Sequence, residues 1–238
     1  MIRVGIIGAG LIGAKRADVI SSDSTSKIVA VADSDAGRAE SLASKFGAKA
    51  FAEPEPLVKS TNIDAVIVAT PHKFLSPHSC AAIENRKHVL CEKPMGRNVA
   101  EVLRQTDAAT KANVVLMGGF NHRYHPAILK THAMLRDGSI GAPFLFRCRY
   151  GHGGRPGYEK EWRGNADAAG GGELLDQGIH ALDLFNWMGG KWSEVYGMTS
   201  TNVWPISPLE DNAMAFLKSS DGKTAFLHAS WTQWKNLF

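Results

Sequence analysis

The sequence predicts an α/β protein: a doubly wound parallel sheet at the N-terminus, then an α+β domain on a mostly antiparallel open sheet. Three observations predict it. Between residues 3 and 118, short aliphatic runs alternate with helical stretches, the rhythm of a parallel sheet covered on both faces. That rhythm breaks after Gly118-Gly119. Towards the end, strand-like segments follow one another, the last two separated by Asp221-Gly222, a hairpin turn signal. At 238 residues the chain lies between one large domain and two small ones. The boundary is placed near residue 120, giving domains 1–120 and 121–238.

Arg3 to Ile7 is an aliphatic run that stops at Gly8, as a buried parallel strand should. Leu11 to Ile20 reads as a helix, with Ile12, Ala14, Ala17 and Ile20 available for its packed face. Ile28 to Ala32 is a second strand, ending at Asp33. Ala36 to Phe46 is a helix closed by Gly47. Ala65 to Ala69 is a strand ending in Thr70-Pro71, and Leu75 to Glu84 a helix with Pro77 in its first turn. His88 to Cys91, Val99 to Ala112 and Val114 to Gly118 read as strand, long helix and strand. In the second half, Pro126 to Arg136 is a helix that Gly138 ends, and Phe144 to Tyr150 alternates as a strand. A glycine-rich stretch, 151–172, precedes a helix from Gly178 to Trp187. Trp192 to Val203, Ala213 to Lys218 and Thr224 to Trp231 are the closing strands.

Composition narrows the function classes. Hydrophobic residues make up 44% and charged residues 21%, an ordinary soluble globular balance. The net charge of +4 contains no dense Lys/Arg block, so it gives no case for a nucleic-acid partner. Cys80, Cys91 and Cys148 are few, odd in number and far apart, which suits free thiols in a reducing cytoplasm. No apolar run is long enough to span a bilayer, and the chain enters its first strand at once, leaving no room for a signal peptide. A soluble, cytoplasmic protein without a membrane partner is expected. None of the nine histidines forms a zinc-type pair on one helix beside an acidic ligand, and no metal site is expected.

Two motifs carry chemistry. Gly8-Ala9-Gly10-Leu11-Ile12-Gly13 fits G-x-G-x-x-G between a strand and a helix, and Asp33 ends the next strand twenty residues after Gly13. That is the context of a dinucleotide fingerprint: Gly8 for the tight turn, Gly10 for close approach to a pyrophosphate, Gly13 for helix–sheet packing. Asp33, with Ser34 beside it, is placed to accept hydrogen bonds from ribose hydroxyls and would repel a 2′-phosphate. NAD is therefore expected over NADP, although Arg38 nearby could partner that phosphate. The second motif is Gly170 to His180. Three consecutive glycines let a backbone approach something bulky, and packing gives no evident reason for three together. Asp176 and His180 follow, four residues apart, on one face if the segment is helical. Carboxylate beside imidazole is a proton-handling pair. Glu92-Lys93-Pro94 follows a strand directly, at the end where wound sheets bind ligands.

Gly8–Gly13, Thr70-Pro71-His72, Glu92-Lys93-Pro94 and Gly170–His180 occur in the order of, and together resemble, the glucose–fructose oxidoreductase / inositol dehydrogenase family, Gfo/Idh/MocA. The resemblance runs from residue 1 to the end of the chain. It implies a Rossmann domain binding NAD or NADP, and hydride transfer to or from a secondary alcohol of a sugar, cyclitol or nucleotide-sugar. Lys93 would then be the active-site lysine that hydrogen-bonds the reacting hydroxyl, His180 the general base or acid, and Asp176 its acidic partner. Thr70, Pro71 and His72 would pass near the nicotinamide ribose, with Glu92 and Pro94 shaping the same wall. The run Asn121-His122-Arg123-Tyr124-His125 would face nicotinamide or substrate, with two of its five side chains only packing or meeting solvent. Trp162-Arg163 resembles a family element that closes over the site, or is a loop aromatic beside a solvated Arg163. His78 reads either as a neighbour of the cofactor or as a surface or core histidine, and Asp183 as a support of the site or a helix-face carboxylate. Two other functions fit the same motifs: an enzyme that keeps its NAD through an epimerisation or glycoside cleavage, and an NAD-binding sensor or scaffold. The resemblance also implies further strands after Phe238, so the second domain reads as incomplete, with an open sheet edge and an apolar tail. Association of copies through that sheet, giving a homo-oligomer, is expected.

Overall fold

The structure, a computed structural model, describes residues 1–235, so Asn236, Leu237 and Phe238 of the expected apolar tail lie outside the described residues. The chain divides into two compact units, Met1–Gly119 and Phe120–Phe238.

In the first unit, strands β1 (Ile2–Ile7), β2 (Ser26–Ala32), β3 (Lys49–Phe51), β4 (Ala65–Val68), β5 (His88–Cys91) and β6 (Leu116–Gly118) form one sheet. Their order is β3-β2-β1-β4-β5-β6, and every neighbouring pair is parallel. This is the Rossmann arrangement, with the strand order reversing between β1 and β4. The helices are α1 (Leu11–Ser21), α2 (Ala36–Lys45), α3 (Pro54–Val58), α4 (His72–Glu84) and α5 (Val99–Ala112). Ile6 and Ile7, adjacent in β1, point into opposite cores: Ile6 packs with Val4, Ile28, Val31 and Leu42, Ile7 with Leu57, Val66, Leu75 and Ile83. A sheet covered on both faces needs apolar side chains at successive positions, which is why its strands read as runs rather than alternations.

Two elements of this unit go beyond the sequence reading and two expectations are corrected. β3 and α3 lack any periodicity signal, being three and five residues long with prolines at Pro54 and Pro56. α4 begins at His72 rather than Leu75, capped by Pro71, so exposed Pro77 lies in its second turn and not its first. Ile12 is exposed, and the buried residues of α1 are Gly13 and Ala17.

The second unit contains α6 (Pro126–Arg136), β7 (Leu145–Gly151), α7 (Ala166–Ala169), a π turn (Leu174–Gly178) running into α8 (Ile179–Gly189), β8 (Glu194–Ser200), β9 (Asn212–Lys218) and β10 (Thr224–Ser230). The sheet order is β7-β10-β9-β8, antiparallel except where β7 runs parallel to β10. The expected strand from Trp192 to Val203 is shorter at both ends. It stops at Ser200 because Asp211 accepts the N–H groups of Asn202, Val203 and Trp204 and folds them into a turn. The Asp221-Gly222 turn joins β9 to β10 as expected, with Gly222 at φ 91°. One sheet face packs on α8 through Ala181, Phe185, Ala215, Ala225 and Leu227. On the strands, Tyr196 stands opposite Phe216 and Met198 opposite Met214, and all four are exposed.

The glycine triplet is explained within this unit, contrary to the sequence expectation. Gly170 ends α7 in the left-handed conformation (φ 76°). A β-carbon on Gly171 would stand 2.8 Å from the Leu175 Cβ, and one on Gly172 only 1.9 Å from the Glu210 carbonyl oxygen. Packing does ask for these glycines, through residues the local sequence does not show. Gly172→Ala should therefore destabilise the second unit by about 1–3 kcal/mol, the usual result of forcing a methyl group into filled space. Thermal unfolding checks this, and a midpoint equal to that of the parent would contradict it.

Candidate active site

In the first unit, the register lines up the carboxyl ends of four strands. Ile7 of β1 pairs with Ala32 of β2 and Val68 of β4, and Val68 pairs with Cys91 of β5. The residues that follow, Gly8, Asp33, Ala69-Thr70 and Glu92-Lys93, therefore leave one sheet edge side by side. Gly8 adopts φ 100°, and a β-carbon there would meet the Ala69 carbonyl oxygen at 2.6 Å. On Gly13 it would lie 1.8 Å from the Gly8 carbonyl oxygen, so only glycine lets α1 start against the turn. A β-carbon on Gly10 would meet nothing within 4 Å. Packing does not require glycine there, and the space is open to a close-lying ligand. Leu11 and Ile12, both exposed, form the first turn of α1, whose N–H groups have no intrahelical acceptor.

Asp33 anchors this turn. Its carboxylate accepts the N–H of Ala9 at 2.8 Å and of Asp35 at 2.9 Å, and Arg38 Nη2 at 2.9 Å. Burial alone would raise its pKa, but the Asp35 and Ala9 N–H groups and the Arg38 guanidinium outweigh burial and hold it below the ordinary carboxylate value. Ser34 beside it is exposed. A cleft of about 400 Å³ adjoins the turn, lined by Ala9, Ala14, Asp35, Arg38, Ser41 and Lys45 among others. A cleft of about 440 Å³ at Ser26, Lys27, Gly47 and Asn62 contains none of the fingerprint residues.

After β4, the Thr70 hydroxyl oxygen is buried and makes no hydrogen bond, while Pro71 and buried His72 open α4. His78 stacks on Phe74, one turn before it, with ring centroids 5.8 Å apart, and its pKa is lowered by burial. After β5, Glu92 is buried and paired with Arg16 of α1 at 2.6 Å. Half-buried Lys93 follows, in a loop fixed at several points. Met95 N–H donates to the Glu92 carbonyl, Gln105 Nε2 donates to the Met95 carbonyl at 2.7 Å, and Glu101 accepts both the Arg97 N–H at 2.7 Å and its guanidinium. Asn98 caps α5 on the Glu101 N–H, so Asn98-x-x-Glu101 is a capping-box signature visible in the sequence. Arg16 and Gln105 had no such signal.

In the second unit, the segment after the glycines is helical, as the Asp176–His180 spacing requires, but its first turn is π rather than α. Glu210 holds its start: the N–H groups of Gly172 and Leu174 donate to its carboxylate at 2.9 and 3.0 Å, and that of Glu173 to its carbonyl. Asp176 is 1% exposed and accepts Arg163 Nε at 2.8 Å. The Arg163 guanidinium also lies over the Trp162 ring, 4.3 Å from its centroid. Arg163 is thus tied to the expected catalytic acid rather than left in solvent. His180 is 5% exposed. Its ring stacks on His122 at 4.0 Å, with Phe120 edge-on at 6.2 Å and Tyr150 at 6.3 Å. Burial, reinforced by the charges of Glu173 and Asp176, pushes the Tyr150 phenol up to about 12, so it remains a hydrogen-bond donor. Asp183 makes a bidentate pair with Arg123 at 2.7 and 2.5 Å, so its carboxylate is tied to the Asn121–Tyr124 turn rather than left on an open helix face. Asn121 is exposed, and His125 accepts the Ala127 N–H at the start of α6.

Residues 2–120 match the profile of the Gfo/Idh/MocA oxidoreductase family's NAD-binding Rossmann fold, and residues 128–237 match the profile of a C-terminal domain of the same family. This chain belongs to the Gfo/Idh/MocA family. Its relatives within the family include myo-inositol 2-dehydrogenase of Thermotoga maritima, 31% identical over 84% of this chain and 59% of that protein. Trans-1,2-dihydrobenzene-1,2-diol dehydrogenase of Mus musculus is 36% identical over 79% of this chain and 56% of that protein. The crystal structure of GenD2 from gentamicin A biosynthesis, in complex with NAD, matches with a TM-score of 0.91 at 27% identity, covering 98% of this chain and 66% of that one. This Gfo/Idh/MocA chain spans little more than half the length of these two curated relatives. The turn fits the family's dinucleotide: a cradle open at Gly10, a helix start facing it, and an ionised carboxylate at the end of β2. Among the described residues no helix is long and apolar enough to cross a membrane, and no group of three or more His, Cys, Asp or Glu side chains could hold a metal ion.

Two outcomes follow. Arg163→Met removes the Nε–H that the buried Asp176 carboxylate accepts, which should destabilise the protein by about 3–5 kcal/mol in urea unfolding. A loss below about 1 kcal/mol would show that the pair is dispensable. Asp33 has a folded pKa below its unfolded value, so its stabilisation is fully present above about pH 4 and lost as the pH falls through the folded value. Asp33→Asn should therefore be less stable than the parent at pH 7, with the gap closing on acidification. A gap that is constant with pH would refute the assignment.

Proposed function

We propose that this chain carries the catalytic machinery of an NAD(P)-dependent dehydrogenase acting on a secondary alcohol of a sugar, cyclitol or nucleotide-sugar. The observation that supports this reading most directly is the alignment of the glycine turn, Asp33, Thr70 and Lys93 along one sheet edge. When bound, the nicotinamide supplies the hydride acceptor. Gly8, Gly10, Leu11, Ile12 and Gly13 hold the pyrophosphate, with Asp33 and Ser34 on the adenosine ribose. Thr70, Pro71, His72, His78 and Glu92 line the nicotinamide side, and Asn121 and Arg163 contribute from the second unit.

Lys93 hydrogen-bonds the reacting hydroxyl, and its positive charge stabilises alkoxide character as hydride leaves. His180 takes up the hydroxyl proton. Asp176, held by Arg163, orients that imidazole or a substrate hydroxyl. NAD is favoured because a 2′-phosphate would face the Asp33 carboxylate and find Arg38 already engaged. The exposed Tyr196, Met198, Met214 and Phe216 face is the surface through which copies of the chain associate. Three free thiols suit a cytoplasmic setting.

The test is direct. Purified chain with NAD is offered myo-inositol, hexoses, glycosides and nucleotide-sugars while absorbance of the reduced nicotinamide is followed. At least one polyol should be oxidised, and Lys93→Ala or His180→Ala should lower kcat by about 10²–10⁴-fold with NAD affinity retained. Tight NAD binding without reduction by any member of the panel would defeat the reading.

A further inference from the structure

The Asn121–Tyr124 turn places His122 against His180, and the dehydrogenase reading assigns His122 no step of its own. The two imidazoles lie 4.0 Å apart between centroids, inclined by 30°. Phe120 meets His180 edge-on at 88°, and Tyr150 stands 5.6 Å from His122 and 6.3 Å from His180. The residues next along the chain clamp this arrangement. Arg123 follows His122, Asp183 lies one turn beyond His180, and their bidentate pair ties the turn to α8. The clamp and the ring stack together fix His122 over His180.

Stacking matters for a proton carrier in two ways. An imidazole that passes a proton must aim one ring nitrogen in a set direction, and a face-on neighbour removes the ring rotation that would spoil the aim. A second imidazole also restricts charge. One imidazolium over a neutral ring is attractive, whereas two cations 4.0 Å apart repel, delaying the second proton by roughly two pH units or more. Among the described residues, the titratable and charged groups around the pair include Tyr150 on β7, Glu173 and Asp176 on the π turn with Arg163 on Asp176, and the Arg123–Asp183 pair.

We propose that His122 is a positioning residue for His180: its stacked ring fixes the direction of the His180 imidazole and disfavours two protons on the pair at once. The role in turnover rests on the dehydrogenase reading; the coupling of the two rings does not. The test uses the 238-residue chain labelled with ¹⁵N-histidine, titrated by NMR, alongside pH profiles of kcat with NAD and whichever panel polyol gives turnover. In the parent, the two rings should titrate in two linked, separated steps. His122→Ala should leave His180 with a single step, lower kcat about 10–100-fold, shift its pH profile and keep KM within about twofold. His122→Phe, which restores a stacked ring without a second proton, should recover most of the lost kcat while keeping the single step. Circular dichroism and NAD affinity confirm the fold, and His122→Asn serves if the alanine variant does not fold. Independent titration of the two rings, or an alanine variant with parental kcat and pH profile, overturns the proposal. Linked titration in a protein that oxidises no polyol supports the ring pair and removes the dehydrogenase reading instead.

Discussion

Carboxylates that accept backbone N–H groups hold three of the turns that bear candidate site residues. Asp33 takes the Ala9 N–H inside the glycine turn. Glu101 takes the Arg97 N–H at the end of the Lys93 loop, and Glu210 takes Gly172 and Leu174 at the head of the segment bearing Asp176 and His180. Asp211 gathers three consecutive N–H groups after β8. Sites at strand ends and helix starts are rich in donors that secondary structure leaves over, and an ionised acceptor is the strongest neutraliser for them. Each such bond contributes about 1.5–3 kcal/mol, more than an ordinary hydrogen bond. Removing Asp33, Glu210 or Asp211 would leave at least two backbone donors unpaired together.

This anchoring explains how loops can serve chemistry. Lys93 lies in a segment with no regular structure, yet Glu92, Met95 and Arg97 around it are fixed by Arg16, Gln105 and Glu101. In the second unit the rigid element is a helix start, and Glu210 and Arg163 hold it from opposite directions in sequence. The functional groups thus sit on pre-set backbone, which is what positioning to within a fraction of an ångström requires.

The parts of the fold and site that could be read from sequence are those whose cause is local. A glycine at φ 100° and another against a carbonyl oxygen must be glycines, so Gly8 and Gly13 are visible in any copy of this turn. Asp33 is visible because it ends a strand at fixed spacing. The reason for Gly172 was hidden because the obstacle, Glu210, lies 38 residues away. Arg16–Glu92 joins residues 76 apart, and nothing near either one predicts the other. β3 and α3 escaped because three- and five-residue elements are too short to show a period. The π turn escaped because a spacing of four residues describes a helix face without stating how the backbone winds.

The Asp33–Arg38 pair has an evolutionary corollary. A Rossmann domain moving from one nicotinamide pool to the other must gain a cation for the 2′-phosphate and shed an anion. Here a cation is already installed, neutralised by its neighbour, and the acid stands against the switch. That acid also ties down Ala9, so a lineage that exchanged it would acquire the new electron donor together with a looser phosphate cradle. Selectivity and rigidity are welded together at one side chain, and a second substitution restoring an acceptor for the Ala9 amide would have to accompany the first.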